Sequence, residues 1–187
     1  MSDRLQLFHW CPPDLRGTDL LPLSDLQSAQ PDIHARAMRK YQNRMGAPQR
    51  PLPELGCVWA DCVMLSPVHP EALRAARLEN GLGWPETGHR FLAFDAARFD
   101  ARADRMCIWL YSDTAKPTSP PDYSVAMTDV VPYSSERLET LGHVSAGARS
   151  YMAEMAQLGT PPLMFVGIPH VLHRGSIPLA WSRTITV

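Results

Sequence analysis

The stretch LFHWCPPDL, from Leu7 to Leu15, sets an imidazole, His9, between two aromatic rings at the end of an apolar run. Pro12 and Pro13 follow at once. Neither can donate to a β ladder, so the chain must leave its sheet there. The pattern predicts His9 at a strand end, where binding side chains concentrate; the plain alternative is a His packed in the core. An imidazole in that position can hold a ribose hydroxyl or a carbonyl. A second group is cationic: PDIHARAMRKYQNRM carries Arg36, Arg39, Lys40 and Arg44 around Tyr41. Guanidinium forks match phosphate oxygens, so Arg39, Arg44 and Tyr41 read as a clamp for a pyrophosphate with a ring stacked beside it. The alternative is a solvated helix face.

Other residues with chemical potential are less constrained. SPVHPEAL offers a helix N-terminus whose free N–H groups favour an anion, with His69 beside it as a cap or a ligand contact. His170 and His173 are three apart in IPHVLHRG; on a strand such residues point to opposite faces and do not converge on one metal ion. The cysteines, Cys11, Cys57, Cys62 and Cys107, form no CxxC, and with His9 they match no standard zinc spacing. No metal site is therefore expected, and the cysteines are expected to be buried free thiols. Neither a G-x-S-x-G elbow nor a phosphate-binding glycine loop is present. Glu154 is the last Glu of the chain, in a segment with helical character, where an exposed structural role competes with a catalytic one.

These residues need elements to position them. The length, 187 residues, suits one domain spanning 1–187 with a sizeable core. An apolar fraction of 45% and a charged fraction of 20% are those of a soluble globular chain. A net charge of −1 provides no overall field for nucleic acid or an anionic membrane. No apolar run approaches the roughly 18 residues of a membrane helix, and the N-terminus has no signal-peptide pattern. A cytoplasmic location is expected.

Strands are predicted at Leu5–Trp10, over CVWADCVML, at RFLAF and MCIWLY, and from Gly159 onward in LMFVGI, HVLHRG, IPLAW and TITV. LLPLSDL reads as irregular, and the HVLHRG block could form a hairpin turning at Gly175. Helices are predicted from Pro31 to Met45 and from Pro70, with Gly81 at the position just past the second helix's end. Two more are predicted across SSERLETLGHVSAGARSYMAEMAQLG, because Gly142 and Gly147 weaken its middle. Ser112 to Pro132 is polar and Pro-rich, long for a structureless loop. The fold class is α+β: one domain, a mixed or antiparallel sheet built from N- and C-terminal strands, and helices between.

LFHWCPPDL resembles the N-terminal motif of the ADP-ribosyltransferase superfold, an apolar strand bearing a His followed by a polar turn. DCVMLSPVHPEAL is similar to a Pro-Met-Leu segment of that superfold's DNA-modifying branch, and RFLAFDAARF to its middle strand and acidic turn. Together these cover about a third of the chain. The resemblance implies an NAD-binding cleft between sheet halves, His9 on the nucleotide, and transfer of ADP-ribose to an acceptor macromolecule. It also implies a late carboxylate, and here the chain departs: LMFVGIPHVLHRGSIPLAW contains none, leaving Glu154 as the candidate. Tyr41 and Arg44 complete the expected cofactor contacts. The alternative is a non-catalytic α+β binding or interaction domain presenting Trp59, Trp84, Trp109 and the Ser112–Pro132 excursion as an interface. The sequence does not fix the acceptor or the oligomeric state.

Overall fold

A computed structural model describes residues 5–42, 45–111 and 130–187. In chain order the elements are β1 (Gln6–Trp10), β2 (Asp19–Leu20), α1 (Leu23–Ala29), α2 (Pro31–Met38), β3 (Pro51–Leu52), β4 (Cys57–Val58), β5 (Cys62–Leu65) and α3 (Pro70–Glu79). They continue with β6 (Arg90–Asp95), β7 (Met106–Trp109), β8 (Val130–Pro132), α4 (Ser135–Thr140), α5 (Ala146–Gln157), β9 (His170–Arg174), β10 (Ile177–Pro178) and β11 (Ser182–Thr186). The fold is α+β. Its sheets are antiparallel throughout the described residues, with orders β1-β6-β11 and β5-β9-β7-β8 and two short ribbons, β2-β10 and β3-β4.

The two larger sheets meet at one point. Phe8 and Ser66 exchange both backbone hydrogen bonds at 2.8 Å. The next pair in that register would join Trp10 to Met64, but the strands part before it forms, and the His9 side chain bonds to the Met64 carbonyl instead. Pro12 and Pro13 then take β1 off the sheet, as the sequence requires.

The main core packs on one face of this split surface, around Leu7, Val63, Leu65, Leu92, Phe94, Phe99, Ile108 and Val171. The other face of the four-stranded sheet carries Cys62, Cys107 and Leu172, covered by Leu52, Leu55 and Trp59. A third cluster joins α3 to α5 through Leu73, Ala76, Ala148 and Met152.

Helix α3 begins as its sequence predicts. His69 Nδ1 accepts from the Glu71 N–H at 3.1 Å, Pro70 is the first helical residue, and Gly81 follows the end at φ 75°, a backbone conformation that suits glycine. The long helical segment is two helices, with the Ser145 hydroxyl accepting from the Ala148 N–H at the start of α5. Gly147 lies inside α5, buried in its first turn.

Several expectations are corrected. The helix expected from Pro31 to Met45 is α-helical only to Met38 and tightens into a 3-10 turn over Arg39–Tyr41. LLPLSDL is irregular only at Leu21 and Pro22: Leu20 closes β2 and Leu23 opens α1. LMFVGI forms turns rather than a strand, because Pro161 and Pro162 and the left-handed Gly167 leave no extended run to pair. Gly175 is left-handed, but β9 pairs with β5 and β7 and makes no hairpin with β10.

Candidate functional site

Where β1 and β5 separate, a cavity of about 640 Å³ opens. That is the size range of small-molecule sites. Its walls come from distant parts of the chain: Phe8–Trp10 and Val63–Ser66 at the split, Ala37, Lys40 and Tyr41 from the end of α2 and its 3-10 turn, Trp59, Trp109 and Tyr111, and Leu163–Val166 with His170. The lining is dominated by apolar and aromatic groups. Its charged members are Arg36, Lys40 and Arg50, and no carboxylate lines it among the described residues.

Three histidines line this space, His9, His89 and His170, and the side chains of His9 and His170 bond to backbone carbonyls. His9 Nδ1 lies 2.8 Å from the Met64 carbonyl and His170 Nδ1 2.7 Å from that of Ile168. A carbonyl can only accept, so Nδ1 carries the proton in each ring and Nε2 keeps its lone pair. Burial pushes both side chains down to about 4, against the opposing pull of those hydrogen bonds, and the nearby Lys40 charge adds to the lowering. At neutral pH both are uncharged. In that form each Nε2 can accept from an O–H or N–H of a ligand.

Aromatic rings surround His170. Trp59 and Trp109 meet edge to face at 5.0 Å, with Trp109, Tyr111 and Trp59 centred 5.8, 6.0 and 6.2 Å from the imidazole. The Trp59 indole donates to the Tyr41 hydroxyl at 3.3 Å. The cations rest on the same rings: Lys40 Nζ is 5.0 Å from the Tyr41 centroid and the Arg50 guanidinium 5.5 Å from that of Trp109. Arg36 pairs with Asp14 at the edge of the site.

Of the residues singled out from sequence, the structure brings His9 and Tyr41 into one cavity. Arg44 lies outside the described residues, and so does most of the Ser112–Pro132 segment, of which Val130–Pro132 form β8. Arg39 is exposed and is not part of the lining. Glu154 sits on α5, also apart from the lining. Trp59 is 6% exposed and forms part of the cavity wall rather than an outer interface; Trp84 donates to the Val187 carbonyl at 2.6 Å.

Sequence reasoning missed His170 as a site residue, because it weighed the residue only with His173 as a metal pair. The opposite-faces argument holds: His170 lines the cavity, while His173 packs on Phe99 on the core side. Among the described residues no group of three or more His, Cys, Asp or Glu is placed to hold a metal, and no helix is long and apolar enough to cross a membrane. Comparison of the chain with family models, curated proteins and solved structures finds no match.

Proposed function

We propose that the protein binds a small anionic molecule with a flat ring in this cavity, and that the ligand is a nucleotide of the NAD class. One observation carries the reading: the charged side chains lining an otherwise apolar, aromatic cavity are all cations, Arg36, Lys40 and Arg50. Such a wall favours a phosphate at the cationic side and a ring among Trp59, Trp109 and Tyr111. The neutral imidazoles of His9 and His170 add acceptors for ribose hydroxyls or an amide. The position of His9 at the split between two sheets also supports the ADP-ribosyltransferase-like resemblance.

The proposal concerns binding. Transfer of ADP-ribose to an acceptor macromolecule would need a carboxylate beside the ribose to orient it or to activate the acceptor. The described cavity lining offers none, and Glu154 lies elsewhere.

Calorimetric titration with NAD, ADP-ribose, nicotinamide and an aromatic carboxylic acid tests the reading. NAD and ADP-ribose should bind. Lys40→Ala should weaken them about tenfold, a loss of ~1.4 kcal/mol, and added salt should weaken them further. Binding of the aromatic acid without either nucleotide would replace the nucleotide reading with a simpler acid site. The absence of heat from every ligand would remove the binding proposal.

A further inference from the structure

We propose that Cys57 and Cys62 form a paired thiol site that a hydroperoxide closes into an intramolecular disulfide across the turn carrying Trp59. All four cysteines are free thiols, yet these two are not independent: their Sγ atoms lie 3.7 Å apart on either side of the Trp59–Asp61 3-10 turn. A disulfide needs about 2.05 Å, so the sulfurs must approach further. The backbone on one side can give. Cys57 belongs to β4, a two-residue strand paired only with β3, and Gly56 before it is left-handed at φ 59°. Cys62 is anchored in β5 opposite Arg174.

Exposure fixes the order of events. Cys57 is half-buried, whereas Cys62 is 1% exposed. The Cys57 sulfur attacks the terminal peroxide oxygen, the O–O bond breaks, and the departing oxygen leaves as an alcohol or water with the thiol proton. Cys57 is now a sulfenic acid. The Cys62 sulfur, giving up its own proton, displaces the sulfenic oxygen as water and forms the S–S bond. Two electrons leave the thiol pair and reduce one peroxide.

Burial raises the pKa of both thiols. The Asp61 charge adds at each, Cys107 adds at Cys62, and Arg174 opposes at Cys57. Oxidation is therefore slower than at an exposed low-pKa cysteine and needs excess peroxide. Its product has a direct structural target. Cys62 and Trp59 both line the cavity, so the bond would tie that wall to Cys57 of β4, which lies outside the lining.

The test treats the folded full chain with hydrogen peroxide, alkylates the remaining thiols in denaturant, and maps the peptides by mass spectrometry. The expected product has lost two hydrogens, retains two of its four thiols, and yields a Cys57–Cys62 cross-linked peptide. Cys62→Ser should stop at a Cys57 sulfenic acid trapped by dimedone, and Cys57→Ser should form no internal bond. Retention of all four thiols, or a bridge mapping to Cys11 or Cys107, would overturn the proposal. The wild-type map decides even where a variant fails to fold. Because no ligand is involved, the outcome is independent of the nucleotide reading.

Discussion

Strand β9 has two faces that use the same residue type in opposite ways. On one face His170 looks into a hollow, ringed by Trp59, Trp109 and Tyr111. On the other His173 is sealed in the core, 1% exposed, its ring 5.8 Å from that of Phe99. Both imidazoles donate Nδ1–H to a nearby carbonyl, and burial lowers the pKa of both. They differ at Nε2. In His173 that atom is buried without a hydrogen-bond partner among the described residues, a cost to folding. In His170 the lone pair belongs to a ring that a ligand can reach. The lesson is that a depressed histidine pKa alone does not single out a candidate site, whereas open space beside the ring makes His170 one.

The largest test of that contrast is Phe99→Ala on the core face. Phe99 is fully buried between Phe94, His173 and Trp181. Its truncation should cost about 3–5 kcal/mol in urea unfolding, with ligand affinity of the folded fraction unchanged. Trp109→Ala on the cavity face should cost less, about 2 kcal/mol, because one side of the indole already borders empty space. It should instead weaken ligand binding most among the wall residues. A larger stability loss at Trp109 than at Phe99 would erase the distinction between the faces.

Acid offers a finer comparison. In the unfolded chain His170 takes a proton near 6.5, whereas in the fold it stays neutral down to about 4. Between those values the unfolded state holds more protons. The stability of the neutral fold is therefore complete above 6.5 and declines as pH falls through that window. Wild type should lose about 1 kcal/mol more than His170→Gln between pH 6.5 and about pH 5.5, measured as unfolding free energy at each pH. The smallest expected stability effect is Arg36→Ala, which breaks a solvent-screened pair with Asp14 and should cost no more than about 1 kcal/mol. Its ligand affinity should nevertheless fall, since the guanidinium borders the cavity.

Local signals made much of this fold legible. Pro70 and Gly81 bracketed α3, the double proline ended β1, and the alternation rule separated His170 from His173. Two places were not legible for a physical reason. The second half of LLPLSDL, from Leu23, opens α1, which rests on α2, a tertiary contact that so short a stretch cannot announce. The cavity joins side chains from β1, α2, β7 and the Leu163–Val166 turns, so no spacing in the chain records it. His9 and Tyr41 could be picked out by type and neighbours; Trp59, Trp109 and His170 gain their roles only when β5, β7 and β9 align.

The single bridge between Phe8 and Ser66 has one more consequence. The hollow exists because two backbones diverge there, not because small side chains leave a void. Its existence should therefore tolerate drift in the residues that line it. Mutation can reshape the lining more readily than it can abolish the space, and in that sense the parting of β1 from β5 is a scaffold whose walls can change without rebuilding the protein.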